Sequence, residues 1–302
     1  CRNKVSKSSS TLLESTFRNP PFSSGVYTWW HWMNGNITKD GITCDLEAMK
    51  ANGIAGYQLF EAGSGIPIGP VESLSDEWVD LILHTLKESE RLGLEFAMHN
   101  CPGWSSSGGP WITPDKAMQI ITWSETKVTG GKQIRMPLPT PKHMFDYYID
   151  TFCLAIPANM EVIPKSSVLE LSGQLKDGVL TWAAPAGEWL IIRFGQTAKD
   201  QKNKSAPSKS TGLDCDKFST EALDYHLDCM FKRLMPAMEK VAKHSKIGLL
   251  IDSYETGDQD WTSDMPAYFE QKHRYALYPF LPALANKVVE SCLLYTSDAA
   301  DE

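Results

Sequence analysis

The stretch from Gly248 to Asp260 reads GLLIDSYETGDQD, and it joins a short apolar run to a cluster of acidic residues. The apolar run, Ile247 to Ile251, is too short for a helix and predicts a strand buried on both faces, as strands of parallel sheets are. The acidic residues then lie at the carboxyl end of that strand, the edge where ligands bind in α/β folds. Asp252 and Glu255 are therefore the first candidates for chemistry.

Strands and helices alternate in the first part of the chain. Apolar runs predict strands over Val26 to Trp30, Ile54 to Phe60 and Leu94 to Met98. Thr38 and Ser75 predict the starts of the two helices between them. Polar or aromatic residues follow the second and third strands: Glu61, His99, Asn100 and Trp104. This repetition predicts an α/β fold and favours part of a (β/α)8 TIM-type barrel over an open sheet.

The pattern changes after Trp123, where short apolar runs alternate with turns and predict an inserted β-rich subdomain. Asp177-Gly178 between two such runs predicts a hairpin. Trp189 to Phe194 is expected to return to the parallel sheet, and Asp200 to Ser210 to form a mobile loop. Ser219 opens what reads as the longest helix, in which Pro236 predicts a kink or an early end.

These patterns predict five segments. They are a polar N-terminal tether at 1–19, the first part of the barrel at 20–122, the inserted β-rich subdomain at 123–188, the continuation of a truncated barrel at 189–291, and a non-native tail at 292–302.

Composition excludes some partners. The net charge of −8 and the isoelectric point near 5.4 disfavour a nucleic-acid surface, because neutralising phosphates needs clustered Lys and Arg. No apolar run reaches the roughly 18 residues of a transmembrane helix. The cysteines lie far apart, without the spacing of a zinc site.

Both ends of the chain carry unusual sequence. Cys1 and the polar residues after it resemble the start of a mature bacterial lipoprotein, with lipidated Cys1 as a membrane attachment; the alternative is an arbitrary fragment boundary. The run from Cys292 resembles translated adapter sequence, which would mean that the natural protein continues beyond it.

Acidic residues among aromatic side chains at a strand end suit the cleavage of glycosidic bonds. That reaction needs one carboxyl group to protonate the leaving oxygen and a second to activate water or to attack. The aromatic side chains that could stack on a sugar are Tyr254, Trp104, Trp32, Trp30 and Trp261. His99 and Asn100 could bind sugar hydroxyls.

Each of these residues also has a structural interpretation. Asp252 is as readily a hydrogen-bonded structural acid or a metal ligand, Glu61 a loop cap, and His99 a satisfied core histidine. The tryptophans could simply close the rim of the sheet. Nucleophilic serine catalysis and nucleotide binding have weak support, because the chain lacks the corresponding glycine-rich motifs.

Several short blocks occur together in one order. They are WMNGNITK from Trp32, HNCPGWS from His99, GGPWI from Gly108, WSET from Trp123 and DSYE from Asp252. With this set, the chain from about Pro20 to Leu284 resembles the α-L-rhamnosidases of glycoside hydrolase family 106.

The resemblance implies a (β/α)8 catalytic barrel interrupted by β-structure, an inverting mechanism on α-L-rhamnosides of plant polysaccharides, and Ca²⁺ near the active site. It implies that Glu255 is the general acid, and it assigns no metal ligands. The catalytic base of the family belongs to a later segment that does not match this chain. Either Glu61 or Glu125 then substitutes, or the chain is inactive by itself.

The leading hypothesis is a lipid-anchored α-L-rhamnosidase of the bacterial cell envelope that acts on an oligosaccharide or polysaccharide. Glu255 is its catalytic residue, and the expected substrate-binding residues are Asp252, His99, Asn100, Glu61, Trp104, Trp32 and Tyr254. One rival is a non-catalytic glycan-binding lipoprotein that uses the tryptophans alone. A second is a barrel hydrolase specific for another deoxy sugar.

Overall fold

The computed structural model describes residues 7–243 and 246–291. Its strands are β1 Val26–Met33, β2 Ile54–Ala62, β3 Glu95–His99, β4 Gln119–Thr129, β5 Lys132–Pro137, β6 Ile149–Pro157, β7 Val162–Ile163, β8 Leu169–Glu170, β9 Leu175–Lys176, β10 Val179–Ala184, β11 Glu188–Ala198, β12 Ile247–Leu250 and β13 Val288–Val289. Its α-helices are α1 Lys7–Arg18, α2 Lys39–Ala51, α3 Asp76–Leu92, α4 Thr220–Phe231, α5 Met235–Val241 and α6 Met265–His273. Short 3-10 helices cover Phe22–Ser24, Lys165–Ser167, Ser172–Gln174 and Tyr278–Ala285.

The chain divides into two compact units. The first takes the described residues within Cys1–Ile112, Gln201–Cys215 and Glu221–Gly257, and the second takes those within Thr113–Asp200, Asp216–Thr220 and Asp258–Glu302. The predicted boundaries at 122 and 188 therefore differ from the observed ones. Each unit is built from distant stretches of the chain, which no local sequence pattern marks.

A parallel sheet forms the first unit. Its strand order is β1-β2-β3-β12, and every neighbouring pair runs parallel. The three upstream strands were predicted from their apolar runs, and the structure confirms them, the first two with longer bounds and the third shifted by one residue. Because all four strands run the same way, their carboxyl ends meet at one edge of the sheet.

The two faces of this sheet have different surroundings. Trp30 and Trp32 of β1 are buried and pack in one apolar cluster with Leu46 of α2 and with Ile82 and Leu86 of α3. We call this side the helix-covered face. Burying each such aliphatic side chain contributes about 1.5–3 kcal/mol, which fixes α2 and α3 against the sheet.

The alternate residues define the other side, which we call the histidine face. His31 of β1, Phe60 of β2 and His99 of β3 stack across the strands there, with ring centroids 5.4 and 5.0 Å apart. Neighbouring residues of a strand point to opposite faces, so one position along the strand decides which environment a side chain meets.

Capping residues define the helix ends as predicted. The Thr38 hydroxyl accepts a hydrogen bond from the Gly41 N–H, and the Ser75 hydroxyl accepts one from the Trp78 N–H, each over 3.1 Å. A cap of this kind contributes about 1 kcal/mol. Gly93 ends α3 in the left-handed region, with φ of 66°.

The predicted helix from Ser219 is interrupted, as Pro236 indicated. The chain leaves α4 at Phe231 and begins α5 at Met235, so that Pro236 lies in the first turn of a new helix. A proline there loses no hydrogen bond, because the first helical N–H groups have no partner in the helix. Among the described helices, the longest is instead α3.

The prediction that the Gly248 strand is buried on both faces is wrong. Leu249 is 50% exposed, and Ile251, just beyond the strand, is 65% exposed. The reason is the strand order: among the described strands, β12 pairs only with β3 and therefore lies at an edge of the sheet.

The second unit is rich in β-structure, as predicted. One antiparallel sheet has the order β4-β11-β6-β8, and another has the order β5-β10-β9. The Asp177-Gly178 hairpin is confirmed: both residues have positive φ and connect β9 to β10. The expected return of Trp189 to Phe194 to the parallel sheet is wrong, because β11 pairs with β4 along its whole length and with β6 from Trp189 to Gln196.

The four parallel strands and their helices make the protein a mixed α/β fold with a β-rich second unit. The described strands do not close into a barrel. No described helix has the length and apolar content needed to cross a bilayer. Cys1 and the segment from Cys292, on which the lipid anchor and the tail were predicted, lie outside the described residues.

Candidate active site

Glu255 is held through both of its carboxylate oxygens. The indole nitrogen of Trp104 donates a hydrogen bond to Oε2 over 3.1 Å, and the Ser253 hydroxyl donates one to Oε1 over 3.0 Å. The carboxylate is exposed to solvent and follows β12 at the carboxyl edge of the sheet. The structure thus unites two predicted site residues, Glu255 and Trp104, and adds Ser253, which the sequence had not singled out.

Asp252 and His99 also meet at this edge. The backbone N–H of Asp252 donates to Nε2 of His99 over 3.3 Å, while Nδ1 of His99 lies 2.9 Å from the Cys101 carbonyl oxygen. The His99 side chain is only 2% exposed, and burial lowers its pKa below the ordinary value. Both ring nitrogens are already engaged within the protein, which fits the interpretation of a satisfied core histidine.

Asn100 anchors the loop that follows β3. Its backbone N–H donates to the Leu250 carbonyl over 3.1 Å, and its side-chain amide donates to the Ser106 carbonyl over 2.5 Å. It is buried, and its Oδ1 has no hydrogen-bond partner among the described atoms. A buried amide oxygen of this kind is costly unless something satisfies it.

A second buried histidine, which sequence reasoning missed, supports the same loop. His226 of α4 is buried, and its Nε2 donates to the Asn100 carbonyl over 3.0 Å. Its Nδ1 accepts a hydrogen bond from the Trp111 indole over 3.2 Å. Nothing in the helical periodicity distinguishes His226 from other core-facing positions, so the sequence gives no signal for this role.

The stretch predicted to be a mobile loop is packed within the first unit. Asn203 is 3% exposed, and its amide donates to the carbonyls of Pro102 and Ser210. The Lys204 carbonyl accepts the Trp104 N–H over 3.2 Å, and the Ser205 carbonyl accepts the Gly63 N–H over 2.6 Å. Backbone hydrogen bonds to other loops order this segment, and its polar composition had concealed them.

Glu61 lies at the same edge but on the other face. It pairs in register with Trp32, so its side chain enters the helix-covered face, where the Ser73 hydroxyl donates to it over 2.8 Å. Burial raises the pKa of Glu61 to about 7, although the hydrogen bond from Ser73 opposes the rise. Strand alternation therefore directs Glu61 away from the histidine face, contrary to the sequence-based placement beside His99.

The tryptophans predicted to stack on sugar divide in the same way. Trp32 is 1% exposed and belongs to the core, because β1 continues through it to Met33 instead of ending at Trp30. Trp261 is also buried, in the core of the second unit. The prediction that Trp32 and Trp261 offer exposed rings to a sugar is therefore wrong. Trp104 is half-buried beside Glu255, and Tyr254 is exposed.

Glu125, the other carboxylate considered as a base, lies in β4 of the second unit. Its carboxylate forms an ion pair with Lys287 over 3.1 Å, which engages it within that unit.

The described residues form no acidic cluster that would bind the Ca²⁺ implied by the family resemblance. Among residues 7–243 and 246–291, no three His, Cys, Asp or Glu side chains lie close enough together to hold a metal ion. Ca²⁺ favours sites with several carboxylate and carbonyl oxygens. The residues present do not supply such a carboxylate set, so calcium binding stays a prediction and no chemical step is derived from it.

An exposed carboxyl group beside an aromatic ring, at the carboxyl edge of a parallel sheet, can serve as a proton donor to a bound glycoside. General acids in glycosidic cleavage need this access to the leaving oxygen. The structure shows a firm orientation for Glu255, with Trp104 and Ser253 as its partners.

Comparisons with known proteins identify relatives of this chain. The chain is 40% identical over 313 aligned positions to a protein of Formosa agariphila provisionally named a beta-glucuronidase. The aligned region covers 93% of this chain and 27% of that protein. The fold is similar to that of the rhamnosidase from Novosphingobium sp. PP1Y, with a TM-score of 0.80, 24% identity, and coverage of 92% of this chain and 43% of the other. The chain thus spans about a quarter of the first relative and under half of the second.

The family model of the alpha-L-rhamnosidases matches residues 18–151 and 142–298, which together make up most of the chain. The chain therefore belongs to glycoside hydrolase family 106, the alpha-L-rhamnosidase family.

Proposed function

We propose that the protein is an α-L-rhamnosidase and that Glu255 is its general acid. The observation that carries this proposal is the orientation of the Glu255 carboxylate by Trp104 and Ser253 at the carboxyl edge of the parallel sheet. Family membership supports the substrate class. Terminal α-L-rhamnosides of plant-type polysaccharides are the proposed natural substrates.

The hydrogen bonds indicate which oxygen carries the acidic proton. The Trp104 indole can only donate, so Oε2 of Glu255 accepts, and this favours Oε1 as the oxygen that carries the proton. The Ser253 hydroxyl beside Oε1 can donate or accept, and it also lies 3.5 Å from the Trp104 carbonyl, so it can adapt to either protonation state. Glu255 would pass this proton to the glycosidic oxygen as the bond to the sugar breaks.

Inversion requires a second carboxylate about 6.5–9.5 Å from the acid, with water between them. Glu61 enters the helix-covered face and Glu125 is paired with Lys287, so neither is favoured for this role. We propose that the base comes from a segment outside the residues described here.

The same proposal includes a complete (β/α)8 barrel. The exposed apolar side chains of Leu249 and Ile251, at the edge formed by β12, support a further strand beside it. A Ca²⁺ ion near the site, and a lipid anchor at Cys1 that holds the protein in the bacterial cell envelope, remain parts of the proposal.

A second sugar specificity has one observation in its favour. The relative from Formosa agariphila is provisionally named a beta-glucuronidase and shares 40% identity over nearly the whole chain. Hydrolysis of a β-glucuronide is therefore the alternative activity at the same Glu255 site. Besides their different ring configurations, rhamnose carries a methyl group on C5 where glucuronic acid carries a carboxylate, so a cationic side chain in the sugar pocket would favour the glucuronide.

The test is hydrolysis by the full chain of nitrophenyl α-L-rhamnoside and nitrophenyl β-glucuronide, with proton NMR of the first sugar released. Rhamnose that appears first as the β anomer supports the inverting rhamnosidase, and rhamnose that appears first as the α anomer contradicts inversion. Release from the glucuronide alone supports the alternative. Binding of rhamno-oligosaccharides without any product would support the non-catalytic glycan-binding protein.

A further inference from the structure

One protonation state of His99 fits the contacts of its ring with Cys101 and Asp252. Its Nδ1 faces the Cys101 carbonyl oxygen at 2.9 Å, and a carbonyl can only accept, so Nδ1 must carry a hydrogen. Its Nε2 faces the backbone N–H of Asp252 at 3.3 Å, and an amide N–H can only donate, so Nε2 must be bare. The ring is therefore neutral, in the Nδ1–H tautomer.

The contact with Asp252 connects two strands. His99 is the last residue of β3, and it lies opposite Leu250, the last residue of β12. Where the chain leaves β12, it is held by the Asn100 N–H bond to the Leu250 carbonyl and by the Asp252 N–H bond to the His99 ring. Glu255 follows Asp252 within three residues, so the orientation of the carboxylate depends on where this segment begins.

We propose that neutral His99 is a positioning residue that accepts the Asp252 N–H and thereby sets the course of the Asp252–Glu255 segment. The role rests on the proposed function only in naming Glu255 as the acid. It differs from the sugar-binding role expected from the sequence, because the ring acts on the protein backbone and not on the ligand.

The ring is prevented from turning by its neighbours. Phe60 stacks on it with centroids 5.0 Å apart and planes 20° apart, and His31 stacks on the far side of Phe60. A 180° rotation of the ring would place the carbon Cδ2 against the Cys101 carbonyl and the carbon Cε1 against the Asp252 N–H, so both hydrogen bonds would be lost. The stack and the two hydrogen bonds therefore select one ring orientation.

Protonation would reverse the contact with Asp252. An imidazolium would present an N–H at Nε2 to the N–H of Asp252, which removes the hydrogen bond and leaves two donors facing each other. Burial lowers the pKa of His99 most strongly, whereas the hydrogen bond to the Cys101 backbone, the charge of the Asp252 carboxylate just beyond β12 and a hydrogen bond to the Gly103 backbone raise it. The Cys101 thiol, in the loop after β3, lies 3.5 Å from Nδ1 of His99. Phe60 of β2 covers the face of the His99 ring.

Two variants of the full chain separate positioning from packing. His99→Phe keeps the stacked ring and removes the acceptor, whereas His99→Gln removes the ring and keeps an acceptor near the position of Nε2. If His99 acts by positioning, His99→Phe lowers kcat on an aryl rhamnoside by about 10- to 100-fold with little change in KM, since small misplacements of catalytic groups have effects of this size. His99→Gln then recovers kcat to within a few-fold of the wild type.

The reverse order, with His99→Phe active and His99→Gln impaired, would mean that the ring matters only for packing and would overturn the proposal. His84→Gln is the matched control, because His84 lies on α3 and its ring bonds only to the Thr43 hydroxyl at 3.0 Å among the contacts described. It should leave kcat and KM unchanged. Thermal unfolding of each variant shows whether it is folded.

A measurement that needs no activity keeps the proposal testable if His99→Phe fails to fold or the protein hydrolyses neither substrate. Nitrogen-15 NMR of the histidine side chains, with the His99 signals assigned by their loss in His99→Gln, reports the tautomer directly. A protonated Nδ1 and a bare Nε2 at pH 7 are expected. A proton on Nε2 at pH 7 would refute the role of His99, whatever the substrate proves to be.

Discussion

The indole nitrogen of Trp104 and Oε2 of Glu255 are joined by a 3.1 Å hydrogen bond across 151 positions of sequence. The bond connects the loop after β3 to the loop after β12, which are neighbouring strands of the parallel sheet. The orientation of the proposed acid is therefore a property of the tertiary fold, and a residue far away in sequence controls it.

Replacement of Trp104 by Phe should weaken catalysis without removing it. The variant keeps an aromatic ring but loses the donor to Glu255, and a hydrogen bond to a charged group contributes about 1.5 kcal/mol or more. A fall in kcat of about tenfold on an aryl rhamnoside is expected, with a smaller change in KM. Trp189→Phe in the second unit, where the indole donates to the Pro185 carbonyl over 3.0 Å, is the control. Equal kcat values for the two variants would contradict a role for the Trp104 indole.

Gly103 should tolerate no side chain, whereas Gly53 should tolerate one. Both have φ of 78°, but a Cβ at Gly103 would lie 2.0 Å from the Lys204 carbonyl oxygen, and a Cβ at Gly53 would meet nothing within 4 Å. Gly53→Ala therefore costs only the left-handed backbone strain of about 1–2 kcal/mol. Gly103→Ala adds a clash with the loop that accepts the Trp104 N–H.

Thermal unfolding measures this difference. The Tm of Gly103→Ala should lie several degrees below that of Gly53→Ala, and its kcat should also fall, because Trp104 is displaced with Gly103. Matching Tm values would show that the 201–215 segment does not pack against Gly103 as the structure describes.

Glu61 should make stability depend on pH. Its folded pKa is about 7 and the ordinary carboxyl value is 4.5, so the folded state holds a proton that the unfolded state releases between these values. The stabilisation is fully present below pH 4.5 and is lost as pH rises through about 7, for a total of about 3 kcal/mol. Glu61→Gln, which keeps an acceptor for Ser73, should therefore raise the Tm at pH 8 and change it little at pH 5.

Glu77→Gln provides the comparison, because Glu77 is an exposed carboxylate in the first turn of α3. Its effect on the Tm should be similar at the two pH values. If Glu61→Gln raises the Tm no more at pH 8 than at pH 5, the prediction is wrong. Glu61 would then be ionised in the folded protein, and its carboxyl group would be more hydrated than its buried position indicates.

The elements that sequence predicted best are those with local causes. Thr38 and Ser75 begin their helices because a hydroxyl must cap free N–H groups, and Pro236 interrupts a helix because it cannot donate. Glu255 was placed correctly at the end of a parallel strand because an apolar run that stops at an acid is visible in sequence. These signals need no knowledge of distant residues.

The errors concern contacts between distant residues. Trp32 and Glu61 were expected at the rim, but β1 and β2 each continue past the predicted end, and alternation then places both side chains on the helix-covered face. Where a strand stops depends on its neighbours, which composition does not reveal. The stretch from Asp200 to Ser210 was expected to move because it is polar, yet the Asn203 side chain and the Ser205 backbone carbonyl bond other loops. Strand β11 joins β4 and β6 through a pairing that no local pattern specifies.

The leaving-group dependence of Glu255→Gln in the full chain tests most directly whether Glu255 protonates the glycosidic oxygen. A general acid contributes about 10²–10⁴-fold when the leaving group needs a proton, and little when it does not. Turnover of a rhamnoside with a poor leaving group, such as methyl or phenyl, should therefore fall at least a hundredfold, while turnover of the dinitrophenyl rhamnoside falls by less than about tenfold. Equal losses on both substrates, or turnover at the wild-type rate on both, would contradict Glu255 as the acid.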